Sequence, residues 1–366
     1  MKSTRIFDFF QSIEDNRRKY GNKQHELLDI VTISITAVIC GAETWEEIEM
    51  YGLAKQKWLS TFLSLPNGIP SHDTFNRVIS SIHPDQFEAC FRNWVASIIE
   101  KTGDIISIDG KTIRGAKVNG KSPIHMVSAW SSENIVLGQV RVHEKSNEIT
   151  AIPELLETLA IEGSVVTIDA MGCQKEIAET ICEKEADYVF GLKGNQPALL
   201  EEVQDEFLFS KAKTAYQDVD FGHGRIETRK CSVIQLKDFD HVVPHQSWAN
   251  LSSIIKIESK REFKNKDQVE TATKYYISSL TADPQKLLHI IRSHWGIENK
   301  LHWMLDVAFS EDYNRKRSEY AAQNFSVLNK IALSLLKKDK TKKVGVKSKR
   351  KGAAWDEDYL LTILGF

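Results

Sequence analysis

Residues 164–196, SVVTIDAMGCQKEIAETICEKEADYVFGLKGNQ, set an apolar run, an amphipathic helix pattern and a second apolar run one after another. SVVTIDA and DYVFGLKG are near-continuous β-rich runs of the kind buried on both faces of a sheet, and CQKEIAETICEKE between them has apolar residues at helical spacing. Strands alternating with a helix in this way read as part of an α/β sheet with helices packed against it. Working outward, DIISIDG, SPIHMVSAWS and NIVLGQVRVH upstream read as three strands of a meander, and SNEITAIPELLETLAI as the helix before SVVTIDA. PALLEEVQDEFL follows as a further helix. The order β, β, β, α, β, α, β, α predicts a mixed five-stranded sheet with flanking helices.

Asp109 and Asp169 each close one of these runs, IISID and VVTID, with small residues immediately after. Ligands of open α/β sheets bind at the carboxyl ends of strands, so two such aspartates share one rim if their strands are parallel neighbours. A third carboxylate stands further on in LLHIIRSHWGIENKLHWMLD (287–306). On a helical wheel Leu287, Ile291 and Leu305 fall within about 20° of Glu298, which predicts Glu298 in the middle of a buried stripe with His294 and His302 to either side. A buried carboxylate is costly unless it is paired or bound to a metal.

Three carboxylates with few other ligands suit Mg²⁺ or Mn²⁺. Two such ions about 3.5 to 4 Å apart clamp the attacking and leaving oxygens of a phosphoryl displacement. Lys111, Arg114, Lys193, Arg292 and Lys300 are cations close in sequence to the expected ligands and suit phosphate neutralisation. Asn195 and Gln196 suit phosphate or base edges, and Trp295 suits stacking on a base.

The flanks read differently. Residues 1–100 are helical in pattern, and KQKW through PNGIP to SHDTFNRV suits a helix-turn-helix in which Ser71 or Asp73 caps the helix bearing Arg77. Leu27–Cys40 is too short for a membrane span and contains Asp29, so it reads as a buried helix. Between about 208 and 283, HGRIETRKCSVIQL, NLSSIIKIESKREFK and ETATKYYISSL form a β-rich insertion, with His223, Gly224, Arg225 and Arg229 at its start. The catalytic region is thus expected over 101–336. From Lys337 to Lys351 nine Lys or Arg stand against one Asp, a run that binds phosphate backbones or stays solvated, and 337–366 reads as a basic tail.

Composition restricts the function classes. The 366 residues are 42% hydrophobic and 27% charged, ordinary for a globular protein of two or three domains. A net charge of −2 leaves any nucleic-acid binding to local patches. Five scattered cysteines, never in a CxxC pair, argue for reduced thiols and against a zinc site or a disulfide framework. The N-terminus lacks a signal-peptide layout, so the expected location is cytoplasmic.

IDGKTIR, HEKSNEITAIPELL, TIDAMGCQKEIA, FGLKGNQPAL, GHGRIETR and HWGIENKLHWMLDVAFSED together resemble the signatures of H-repeat-associated proteins, the ISAs-type insertion-sequence transposases of the DDE class. The resemblance runs nearly end to end. It implies an RNase H-like core in which Asp109, Asp169 and Glu298 bind two Mg²⁺ ions, cleave strands at the element ends and join the 3′-hydroxyl to target DNA. It also implies double-stranded DNA as partner, a homodimer in the synaptic complex and association with the nucleoid. At the Tyr, Arg and Lys positions of the broader superfamily's signature around the glutamate stand Ile291, His294 and Leu305; His294 looks like this subgroup's own variant and is a DNA-contact candidate, and Arg292 and Lys300 are the expected substitutes for the cation that grips the terminal phosphate. An RNase H-like nuclease without strand transfer, and a DNA-binding relic without catalysis, are the competing readings.

Overall fold

The computed structural model describes residues 6–17, 23–99, 104–117, 123–143, 146–210, 214–222, 224–236, 247–264, 268–281 and 283–365; His223 lies outside them. In chain order the helices α1 (Ile6–Phe10), α2 (Leu27–Ile39), α3 (Trp45–Ala54), α4 (Gln56–Leu59), α5 (His72–Ser81) and α6 (Pro84–Ile98) come first. The alternating region follows: β1 (Ile105–Ile113), β2 (Ile124–Ser131), β3 (Val136–Arg141), α7 (Glu148–Glu157), β4 (Val165–Ile168), α8 (Lys175–Glu183), β5 (Asp187–Leu192) and α9 (Pro197–Phe209). Then come β6 (Thr214–Gly222), β7 (Arg225–Gln235), β8 (Ser253–Phe263), β9 (Val269–Ser278) and α10 (Pro284–Gly296). A π-helical turn, Ile297–His302, leads into α11 (Trp303–Phe309), α12 (Ala321–Lys338), α13 (Val346–Trp355) and α14 (Glu357–Leu364). No described helix is long and apolar enough to cross a membrane.

The chain divides into two compact units, one of residues 1–100, 110–144 and 299–366, the other of 101–109 and 145–298. In the first, α2 (LLDIVTISITAVI) is apolar on every side and buried almost throughout, as its composition predicts. Two of its hydroxyls are satisfied within the helix: Ser34 Oγ donates to the Ile30 carbonyl at 2.8 Å and Thr36 Oγ1 to the Thr32 carbonyl at 2.9 Å, while Thr32 Oγ1 is buried without a partner. α12 is buried from Ala321 to Leu336 and carries polar side chains into the core. Asn324 donates to the Ile79 and Ile82 carbonyls at 2.7 and 2.9 Å, so the orphan acceptors ending α5 are paired. Lys330 donates to Gln139 and to Ser326 Oγ, Gln139 donates to Glu88 at 2.8 Å, and Ser326 donates to Glu311 at 3.0 Å. The five make one enclosed polar network.

Two expectations change in this unit. The basic run is no extended solvated tail: α13 buries Lys349 and Arg350, whose charged heads cap helix ends. Arg350 donates to the Val38 carbonyl at 2.9 Å and to that of Ala308, and Lys349 to the Leu336 carbonyl at 2.9 Å. The expected helix-turn-helix has only a single turn, α4, as its first helix, and Ser71 bonds the Thr74 hydroxyl at 3.2 Å without capping the backbone.

In the second unit the strands run β1-β4-β5-β9-β8-β7-β6. β1, β4 and β5 are parallel, and β9 pairs antiparallel with β5, Val189 opposite Ser278 through Leu192 opposite Tyr275. The strands of the 208–283 segment therefore continue this sheet and do not form a separate insertion; among the described residues the chain has nine strands, the five read for the core and four in this segment, where three were read. One of them, β6, has no clear apolar alternation because most of its residues are exposed on both faces. Leu287, Leu288, Ile290 and Ile291 of α10 pack on one face of this sheet against Ile105, Val165, Val189, Val233 and Ile255.

Candidate active site

The register of the parallel strands places the first two carboxylates. Ile105 faces Val165 and Ile108 faces Ile168, so one position further Asp109 stands level with Asp169, and Ile168 facing Phe190 puts Gly191 on the other side of Asp169. Side chains alternate along a strand. Ile105 and Val165 lie on the α10 face, and Asp109 and Asp169 share their parity and therefore their face. Gly191, with no side chain, leaves the space beside Asp169 open, and it lines the cavity there.

Asp169 ends β4 in a turn: its Oδ1 accepts the Met171 N–H at 2.9 Å and the Gly172 N–H at 3.4 Å. Gly172 is required there, because a Cβ would lie 2.3 Å from Ile168 Cγ2 and 3.0 Å from Ile152 Cδ1. Asp109 differs from expectation. β1 does not stop at it but runs on to Ile113, since the residues after Asp109 keep an extended backbone, so Asp109 sits inside the strand.

Glu298 differs more. It is exposed, not buried in the stripe, while Ile297, Leu301 and Leu305 are fully buried. The cause is the π-helical turn over Ile297–His302, whose wider turn breaks the constant 100° step assumed by the wheel. The inward positions fall to Ile297 and Leu301, and the carboxylate turns out to the wall of a cavity.

That cavity, of about 420 Å³, is lined by Asp169, Lys193, Lys274, His294, Trp295 and Glu298 among others. Lys193 is exposed at its wall. Asn195 and Gln196 spend amide hydrogens internally, on the Ala170 carbonyl and on the Cys173 carbonyl at 3.0 Å, and so staple the loop after β5 to the Asp169 turn. His294 Nδ1 lies 3.0 Å from Thr167 Oγ1. Burial holds the ring's pKa below its ordinary value against the opposing charge of Asp169, so His294 is not a cation at neutral pH.

Trp295 is 39% exposed and also borders a second cavity of about 590 Å³ on the β7–β9 face. Lys274 Nζ lies 5.2 Å and Arg261 Cζ 5.9 Å from its ring centroid. Glu227 beside them pairs with Arg229 at 2.6 Å, Arg261 at 3.0 Å and Arg225 at 3.6 Å. Burial pushes the Glu227 carboxyl up, but the Arg261 hydrogen bond and the arginine charges outweigh it and hold it below its usual range. Arg292 is engaged as well, its guanidinium bridging Asp218 at 2.6 Å and Asp220 at 2.7 Å on β6.

The remaining candidates belong to the other unit. Lys111 is committed to Asp306 at 2.7 Å and Asp312 at 3.1 Å; burial lowers its pKa, but these acids outweigh it and raise it. Arg114 is 82% exposed, 3.5 Å from Asp312. Arg77 and Lys300 are exposed. Lys274, Arg261 and Thr167 were missed by the sequence reading, although Lys274 shares strand parity with Tyr276, which packs against α10's cluster.

The donor set, three carboxylates of which two are level on one sheet face, fits a hard divalent cation. Among the described residues no three His, Cys, Asp or Glu side chains are gathered into a group that would hold an ion.

Comparison with known proteins agrees along the chain. The family described as Transposase DDE domain matches residues 100–335, and that described as DDE_Tnp_1-associated matches residues 7–95. The "Putative transposase YncI" of Escherichia coli O157:H7 is 43% identical over 98% of this chain and 94% of its own length. The "H repeat-associated putative transposase YhhI" of Escherichia coli K12 is 39% identical over 100% of this chain and 98% of its own length. A shorter relative from the same strain, "Inactive transposase YbfQ", is 44% identical over 19% of this chain. A family match over most of the chain, with relatives alike from end to end, makes this protein a member of the DDE transposase family.

Proposed function

We propose that the chain binds the ends of an insertion sequence, cleaves DNA strands there and joins the freed 3′-hydroxyl to target DNA. Asp109, Asp169 and Glu298 would hold two Mg²⁺ or Mn²⁺ ions on an RNase H-like core. The observation that carries this reading is the row in which Asp109 stands level with Asp169, on the face covered by the helix that leads to Glu298, with Asp169 and Glu298 lining one cavity. When bound, the ions activate the attacking oxygen and stabilise the leaving one. The chain's own part is positioning and charge balance. Lys193 and Lys274 on the cavity wall neutralise phosphate, and Trp295 supplies an aromatic wall for a base. Neutral His294 and paired Arg292 are poorly suited as the principal phosphate cation. Residues 1–100 would take part in DNA binding, two copies would meet in the synaptic complex, and the protein would work in the cytoplasm at the nucleoid.

The test is a cleavage and strand-transfer assay with Mg²⁺ on DNA carrying the sequences that flank the gene, comparing wild type with Asp109→Ala, Asp169→Ala and Glu298→Ala. Nicked and joined products from wild type alone, with all four binding DNA, are expected. Nicking without joining makes the chain a nuclease, and binding without cutting makes it a DNA-binding relic.

A further inference from the structure

Ser107, Thr167 and His294 stand in a fixed relation to the three acidic residues. Ser107 is two positions before Asp109 on β1, Thr167 two before Asp169 on β4, and His294 four before Glu298. Thr167 Oγ1 lies 3.1 Å from Ser107 Oγ, 3.4 Å from the Ile106 carbonyl and 3.0 Å from His294 Nδ1. A threonine hydroxyl has one hydrogen. Donated towards β1, it leaves the oxygen to accept from the imidazole, which puts the ring's proton on Nδ1. The hydrogen bonds run unbroken from α10 through β4 to β1.

The rest of the interface between α10 and these strands is apolar, formed by Leu287, Ile291, Ile105 and Val165. Apolar contact is non-directional and leaves a helix free to rotate and slide by small amounts, whereas a hydrogen bond fixes distance and angle. A polar ring in such a seam costs free energy that a leucine there would not. It also sits just before the π-helical turn at Ile297–His302, where the backbone departs from regular helix.

We propose that His294, acting through Thr167 and Ser107, is a positioning residue that sets the Glu298 turn against the strands bearing Asp109 and Asp169. The assignment rests on the transposase reading above. The hydrogen-bonded chain does for the helix what partners of metal-ligating side chains do for their ligands, and losing such a partner costs about 10- to 100-fold in metal affinity or activity.

Thr167→Val keeps the shape and removes the hydroxyl; Thr167→Ser keeps the hydroxyl. Expected for Thr167→Val are a kcat for strand cleavage lowered about 10- to 100-fold, an unchanged KM for DNA and Mn²⁺ affinity weakened to a similar degree. Thr167→Ser should recover most of both. Unchanged kcat and Mn²⁺ affinity in Thr167→Val, or a loss that Thr167→Ser shares in full, overturns the proposal. If Thr167→Val does not fold, Ser107→Ala decides on the same readouts: a fall in kcat at constant KM upholds the proposal, and none overturns it. If wild type itself never cuts, the transposase reading fails separately. Mn²⁺ titration then settles the positioning: weaker binding in Thr167→Val but not in Thr167→Ser supports it, and equal affinities refute it.

Discussion

The enclosed network of Glu88, Gln139, Ser326, Lys330 and Glu311 and the open wall of Asp169 and Glu298 use the same functional groups to opposite ends. In the first, two carboxylates and a lysine are taken wholly out of water and linked through Gln139 and Ser326, which offsets part of the desolvation inside the protein, with Glu88 Oε2 left without a hydrogen-bond partner. In the second, Glu298 is exposed, and Asp169 spends one oxygen on its own turn. Buried charge whose partners are other groups of the protein holds structure together. Carboxylates left at a cavity wall are available to something that arrives from outside.

The contrast is sharpest for stability. Lys330→Met strands Glu88 and Glu311 in the core and should cost about 3 to 5 kcal/mol, read from the urea midpoint, because removing one partner of a buried pair leaves the other uncompensated. Recovery in the double variant Glu88→Gln with Lys330→Met would show that the charge, not the packing, was the cost. Glu298→Gln should do the reverse. On its proposed role as a metal ligand it is expected to lower strand cleavage about 10²- to 10³-fold, and to leave the urea midpoint within about 0.5 kcal/mol, as for other exposed positions. A large loss of stability in Glu298→Gln would break the comparison.

The smallest expected effect is on pH dependence. Burial raises the Glu88 carboxyl above its ordinary value of 4.5, with the Gln139 hydrogen bond and the Lys330 charge opposing. The folded chain therefore keeps this proton to higher pH than the unfolded chain does, and Glu88's contribution to stability falls as pH rises from about 5 to about 7. Glu88→Gln should flatten that part of the profile, measured as urea midpoints across the window. An identical slope in the variant would place the titration elsewhere.

Much of this was legible in the sequence where local pattern governs structure. The apolar runs IISID and VVTID, the helix between VVTID and DYVFGL, and the buried helix at Leu27 all follow from periodicity and composition. The exposure of Glu298 was not, because a helical wheel assumes a constant step and the π-helical turn changes it. Nor was the burial of Lys349 and Arg350, whose partners, such as the Val38 and Leu336 carbonyls, become visible only when helix ends meet. Arg292 stands 74 positions from Asp218, and no local pattern announces that pair. The same holds for Thr167 and His294, 127 positions apart.

The joint between β5 and β9 has a mechanical consequence. Four residue pairs, Val189 with Ser278 through Leu192 with Tyr275, connect the strands of the insertion to the parallel strands, while Val269–Lys274 of β9 runs on past the end of β5. The later strands are thus held at this joint and again where Arg292 of α10 bridges Asp218 and Asp220 of β6, and are not a module on a swivel. The share of a load that reaches the joint is carried as shear across those four pairs into the end of β5, where Lys193 begins the loop that Asn195 fastens to the Asp169 turn.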